Sequence, residues 1–330
     1  MPLLLSGRAQ ARSPLPLYTL DEARMLGIRL SSSAWTRVRK GVYVDRSALA
    51  ALPPWARYAV RVHAFIRKHP DAILCMESAG VIHGIPRFGE TKEIHVYDPE
   101  LTKSWRHGDV ITHTSGDPRE IEMVDGVLVT SLRDTIVDLA RAVPPAHALS
   151  MADAAISPVQ GGSLSIEELR DRGDEQRNRR GRARMRWVWS NANALAESPA
   201  ESISRAVIGW SGFEQPDLQR EFNYEGYLDR TDFFFPSCGA VGEADGWGKY
   251  NLDDADEART HLMDEKRRED RLRRHGHPFA RWELRDAWKV VPLCDSLEAA
   301  GVRKVAPQQP AMLATLRTNP RALAWQRPKE

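Results

Sequence analysis

The chain reads as a mixed α and β protein, α/β in its C-terminal part and α+β overall, built in successive regions rather than around one core. Three observations predict this. Its 330 residues exceed the usual span of a single core. Apolar periodicity switches repeatedly between the helical and the strand period along the chain. The composition, 42% hydrophobic and 28% charged with ten Trp, is that of a folded chain. The expected regions are 1–52, a winged helix-turn-helix; 53–157, a small α+β unit; 158–186, an Arg-rich linker; 187–290, an α/β unit; and 291–330, a tail.

Three widely spaced cysteines, Cys75, Cys238 and Cys294, support neither a disulfide framework nor a zinc site. No run approaches the roughly 18 apolar residues of a membrane span, and Leu3-Leu4-Leu5 is too short for a signal core. A reducing, cytoplasmic setting without membrane contact is expected. The net charge is only +2, but residues 1–60 hold nine Lys and Arg against three acids, while 61–160 hold ten against fourteen. Generic attraction to a polyanion therefore belongs first to the N-terminal part.

Residues 1–17, with three Pro, read as a loose lead-in. Thr19 is placed to cap a helix from Leu20 to Leu26 that stops at Gly27, and Ser31 to Ser33 to cap a second helix running to Lys40. Gly41 ends that helix, and Val42-Tyr43-Val44 reads as a short strand. Helix, turn, helix and wing outline a winged helix-turn-helix, with Arg37, Arg39 and Lys40 facing nucleic acid and Trp35 and Val38 packing inward. The string Ala34-Trp35-Thr36-Arg37-Val38-Arg39-Lys40-Gly41-Val42-Tyr43 resembles the N-terminal winged-helix domain of AbiEi-family antitoxins. That resemblance implies DNA binding, with a cognate toxin protein as a further candidate partner.

In the second region Trp55, Ala59, Val62 and Ile66 lie at helical spacing, with Arg57, Arg61, Arg67 and Lys68 outside the stripe. A helix from about Glu77 to His83 follows, then strand-like runs 93–97, 110–114 and 126–129, and a helix from Leu132 to Ala142 opened by Ser131 and Asp134. His83, His95 and His113 lack metal spacing and read as structural. The strings SAGVIHGIP and DGVLVTSLRDTIVDLA resemble the middle region of AbiEi-related proteins. Between Arg170 and Arg186 eight Arg face three acids, a solvated connector or a phosphate-tracking strip.

Chemistry concentrates after residue 187. Two strand-like runs flank the turn Pro236-Ser237-Cys238-Gly239; if Phe235 pairs with Ala240, Asp232 falls opposite Glu243, about 5 Å away between Cβ atoms. Like charges so placed beside the Phe233-Phe234-Phe235 run call for something positive between them. A hard divalent cation, Mg²⁺ or Mn²⁺, held by Asp232 and Glu243 is the simplest candidate, with the Ala244 carbonyl as a further ligand. The same register puts Arg230 opposite Asp245 as its ion-pair partner. Ser198-Pro199-Ala200-Glu201 is a helix start, in which Glu201 either completes the cap or turns toward Asp232 and Glu243 as a third carboxylate. A long charged helix, 257–275, sets Lys266 and Glu269 between Leu262 and Leu272, and a strand from Phe279 follows.

Helix, hairpin, helix, strand over 197–287 resembles the PD-(D/E)xK nuclease superfamily, in its branch related to the very-short-patch-repair endonuclease. The strings that carry it are PAES, RTDFFFP, GEADGWGKY and EKRREDRLRRHG. The resemblance implies a restriction-endonuclease-like core, with Asp232 and Glu243 as metal-holding acids and Glu201 as the helical acid. It also implies a Lys two residues after the Glu, where this chain has Asp245; Lys249 and Lys266 are the candidates to supply that charge. The implied function is Mg²⁺-dependent hydrolysis of DNA phosphodiester bonds. The alternative is a non-catalytic antitoxin or autorepressor on a degenerate nuclease scaffold.

Overall fold

The structure is a computed structural model that describes residues 4–245 and 255–323, with backbone alone over 255–262. Helices and three sheets make it a mixed α and β protein. The chain divides into two compact units, and each is discontinuous in sequence.

The first unit takes in residues 4–143, 164–190 and 319–323. Thr19 caps the helix Leu20–Met25 with a full capping box through Glu22, as its sequence predicts. The second predicted helix is absent. Residues 35–39 instead form β1 (Trp35–Arg39), which pairs antiparallel with β2 (Val42–Asp45) in the register Trp35↔Asp45 to Arg39↔Val42. The physical reason lies in Val42 and Val44. Both are fully buried, so β2 lies against the protein interior and its backbone groups need a partner strand. The Trp35, Thr36 and Val38 side chains suit that role, and Gly41, at φ +76°, closes the turn.

Behind the hairpin stands a six-stranded sheet: β3 (Ile73–Leu74), β4 (Ile94–Tyr97), β5 (Trp105–His107), β6 (Val110–His113), β7 (Ile121–Val124) and β8 (Val127–Thr130), in spatial order β5-β6-β4-β3-β8-β7. The helix Pro54–Ile66 buries Tyr58, Ala59, Val62 and Phe65 against Leu74, Ile94, Val127 and Val129, together with Val81 and Ile82 of the helix Met76–His83. Ala59 and Val62 of the stripe read from the sequence lie in this core, while Trp55 and Ile66 are half-buried and Tyr58 and Phe65 fill the buried face.

The Arg-rich stretch does not behave as a linker. Ser165 caps a helix Ile166–Glu175, a second runs Arg182–Asn191, and Leu169, Met185 and Trp189 are buried. Arg172 grips the fully buried Asp134 through two contacts of 2.6 and 3.1 Å. A carboxylate at that depth needs a paired cation.

Residues 319–323 return to this unit. Leu323 donates its backbone N–H to Glu90 (2.7 Å), Lys92 donates to the Arg321 carbonyl (2.8 Å), and the Arg321 guanidinium pairs with Glu77 through both nitrogens. The same guanidinium donates to His95 Nε2 (3.0 Å), so His95 carries its proton on Nδ1 and donates to His113 Nε2 at 2.9 Å. Burial opposes the Glu77 charge, but Arg321 outweighs it and holds the carboxyl at about 2; burial pulls His95 down to about 3 and His113 to about 4. His83 donates its Nε2–H to the Thr130 carbonyl at 2.8 Å. All three histidines are held by hydrogen bonds within this unit.

The second unit comprises residues 144–163, 191–245 and 255–318. Its sheet has the order β12-β11-β10-β9, formed by β9 (Asp217–Tyr224), β10 (Tyr227–Phe235), β11 (Ala240–Asp245) and β12 (Phe279–Glu283). The first three strands run antiparallel, while β12 lies parallel to β11 after the crossover helix Ala255–Arg274. The predicted helix, hairpin, helix, strand order is therefore present, with β9 and the helix Pro145–Ile156 added to it. Phe233, Phe235, Ala240 and Val241 are fully buried, and the Phe233 ring lies 5.4 Å from that of Trp282. Gly242 permits this contact: a Cβ there would meet the Trp282 ring at 2.7 Å. Arg205 of the helix Pro199–Trp210 pairs with the buried Asp153 at 2.9 Å, tying that helix to Pro145–Ile156.

Candidate functional site

The hairpin of β10 and β11 carries the first two acids. Phe235↔Ala240, Phe234↔Val241 and Phe233↔Gly242 pair as the turn chemistry predicts; the backbone ladder ends there, short of Asp232 and Glu243. Asp232 Oδ2 accepts the backbone N–H of Ala244 at 3.0 Å, which fixes its carboxylate against β11.

The predicted positive charge is supplied by the protein. Arg268, on the crossover helix, places Nη2 2.9 Å from Glu243 Oε2 and donates Nη1–H to the Arg230 carbonyl at 2.6 Å. Burial works against the Arg268 charge, but Glu243 and then Asp232 outweigh it, and its pKa is raised. Nothing in the sequence distinguishes Arg268, because it sits in a run where nearly every residue is charged.

Glu201 caps its helix through its backbone, while its carboxyl closes no capping box on the Ser198 N–H and is held by other donors. Its backbone N–H donates to the Ser198 hydroxyl oxygen at 3.2 Å, completing the cap. Its carboxyl is 3% exposed: Oε2 accepts the backbone N–H of Glu197 (2.9 Å) and an amide N–H of Gln219 (3.0 Å), while Oε1 lies 2.8 Å from Ser198 Oγ. Burial first and the charge of Asp232 second push this carboxyl up to about 8. The like charge of Asp232 on β10 is the second contributor to that rise.

Other expected neighbours go elsewhere. Arg230 turns to Glu197 at 2.8 Å rather than to Asp245, whose carboxylate lies 3.8 Å from Arg281 Nε. Lys266 is exposed and makes no hydrogen bond or ion pair among the described residues; the helix face that reaches Glu243 passes through Arg268. Lys249 lies outside the described residues. Two carboxylates on adjacent strands remain a fitting donor set for Mg²⁺, a hard cation that keeps waters and takes substrate oxygens beside one or two protein carboxylates. Among the described residues no group of three or more His, Cys, Asp and Glu side chains is arranged to hold a metal ion.

The first unit holds the other predicted contact residues. Arg37 and Lys40 are exposed on the β1–β2 hairpin. Arg39 is not available in the same way. It pairs with Asp109 at 2.8 Å, with 16% of its side chain exposed, and its guanidinium lies 5.2 Å from the centre of the Phe65 ring.

Comparison with known proteins finds two relatives in Mycobacterium tuberculosis, from strains CDC 1551 and ATCC 25618, printed as Uncharacterized protein MT2308 and Uncharacterized protein Rv2248. Each is 27% identical over 221 residues, which cover 67% of this chain and 77% of the relative. No protein-family model and no solved structure matches the chain. No helix among the described residues is long and apolar enough to cross a membrane.

Proposed function

We propose that the second unit is a Mg²⁺- or Mn²⁺-dependent phosphodiesterase of PD-(D/E)xK type that acts on DNA in a cytoplasmic setting. The observation that carries this reading is that Glu243 pairs with Arg268, that Asp232 on the neighbouring strand also raises the Arg268 pKa, and that the buried Glu201 feels the charge of Asp232. Burying Glu201 and Glu243 near the half-buried Asp232 opposes folding, and such perturbed groups concentrate at reactive sites. Asp232 and Glu243 would hold the cation, which supplies Lewis acidity at a phosphate oxygen and a water of lowered pKa. Arg268, which contacts Glu243 from the crossover helix, brings a guanidinium suited to the charge that builds on a phosphate. The exposed Arg37 and Lys40 of the first unit are the residues suited to backbone phosphates.

The rival reading is a non-catalytic DNA-binding antitoxin or autorepressor. Asp245 at the superfamily lysine position and the Arg268–Glu243 pair, which neutralises the hairpin without a metal, favour it. A cleavage assay on plasmid, linear duplex and single-stranded DNA with Mg²⁺, Mn²⁺ or chelator separates the two. Metal-dependent cleavage that Asp232→Asn and Glu243→Gln abolish is expected; intact substrate under every metal condition overturns the phosphodiesterase reading.

A further inference from the structure

The β9–β10 ladder runs in register from Tyr227↔Tyr224 to Thr231↔Arg220 and resumes at Phe233↔Leu218. The one step it omits is the level of Asp232, where β9 presents Gln219. There the backbone of Gln219 adopts φ +54°, the left-handed region that a non-glycine residue rarely occupies inside a strand. Such local kinks re-aim side chains and persist where surrounding contacts over-determine them. Here the side chain delivers an amide N–H to Glu201 Oε2 at 3.0 Å. With the Glu197 N–H at 2.9 Å on the same oxygen, both acceptor directions of Oε2 are filled. Gln219 also borders an open groove whose other walls include Asn193, Asp217 and Arg220.

We infer that Gln219 is a positioning residue: the kink in β9 exists to hold its amide on one oxygen of Glu201, fixing which edge of that carboxyl is turned to the hairpin acids. This inference rests on the phosphodiesterase reading for its catalytic consequence, but its geometry is independent of it. Nothing in the sequence pattern marks the position, since a Gln between Leu218 and Arg220 looks like ordinary strand polarity.

Gln219→Gly is the informative variant, because glycine takes the left-handed conformation freely while losing the amide. Two measurements are made on the full chain. In metal-dependent DNA cleavage, kcat is expected to fall roughly tenfold to hundredfold while KM stays within about twofold, the mark of lost alignment rather than lost binding. In carbon-13 NMR of carboxyl-labelled glutamates without metal, with the Glu201 signal assigned through Glu201→Gln, the Glu201 titration midpoint should move upward. Loss of a donor to the ionised carboxylate has that sign. The melting temperature should equal or exceed that of the wild type. An unchanged Glu201 midpoint overturns the inference whether or not the protein cleaves DNA, and so does an unchanged kcat in an active wild type. If the wild type cleaves nothing while the midpoint moves, the phosphodiesterase reading falls and the positioning role stands.

Discussion

Glu201 gives the second unit a stability that depends on pH in an unusual direction. Its ordinary value of 4.5 in the unfolded chain rises to about 8 in the folded one, first by burial and then by the charge of Asp232. The folded state therefore holds a proton that the unfolded state has released. Stability from this group is present in full below pH 4.5 and is lost as pH climbs through about 8. Each pH unit between the two values corresponds to about 1.4 kcal/mol, so the whole gap sets an upper bound of about 5 kcal/mol. Local relaxation and water entry reduce it. Glu201→Gln removes the titration while keeping the contacts. The Gln carbonyl oxygen replaces Oε2 as acceptor for the Glu197 and Gln219 donors, and its NH₂ faces Ser198 Oγ. Relative to wild type, the variant should gain at least about 2 kcal/mol between pH 5 and pH 9, or roughly 4–8 °C for a unit of this size. Thermal unfolding with chelator present, followed by circular dichroism across that range, measures it. Parallel melting curves for the two proteins at every pH would refute a buried, protonated Glu201.

Other outcomes follow from the same coordinates. Arg268→Met strips the Glu243 carboxylate of its guanidinium and should cost about 3 kcal/mol at neutral pH, most of it recovered in the double variant with Glu243→Gln; strict additivity in that cycle, read by urea denaturation, excludes the coupling. In the first unit, His95 and His113 stay neutral down to about 3 and 4, and Glu77 stays ionised to about 2 beside Arg321. Stability from these groups is present above the ordinary histidine value of 6.5 and is lost as pH falls toward 3. Amide exchange in β4 and β6, corrected for intrinsic rates, should accelerate over that window, and a flat profile counts against it. Replacing Arg37 and Lys40 together by Ala should weaken DNA binding and lower the salt slope by about two, while Arg39→Ala should chiefly lower the melting temperature. The reverse assignment of effects would show that Arg39, not its neighbours, meets phosphate.

Much of the second unit was legible because its signals are local. The Pro236–Gly239 turn fixes the β10–β11 register, and Ser198-Pro199-Ala200-Glu201 marks a helix start within a single turn. Both depend on residues a few positions apart. What eluded the sequence depends on distance. Arg268 reaches Glu243 from 25 residues away, and Asp245 and Arg230 find their cations and acids on other elements. The segment 33–40 failed for a different reason. Trp35 and Val38 are spaced as a helix would need, yet the buried Val42 and Val44 need a partner strand, and tertiary pairing overrode local periodicity. The eight arginines from Arg170 to Arg186 likewise read as solvated because the buried acid that Arg172 meets, Asp134, lies in another stretch of chain.

The return of residues 319–323 to the first unit has a temporal meaning. A ribosome delivers the strands and helices of residues 4–143 long before Arg321 emerges, and domains otherwise tend to fold from the N-terminus as they appear. Until then Glu77 faces His95 in an apolar setting without the guanidinium that keeps it ionised, and Thr91 lacks its bridge to Ala322. The unit is thus left incomplete until Arg321 has been made. A nascent chain stopped before residue 319 would leave Glu77 without its guanidinium and the Glu90 and Lys92 backbone groups without their partners in 321–323, so it is not a smaller copy of the finished fold.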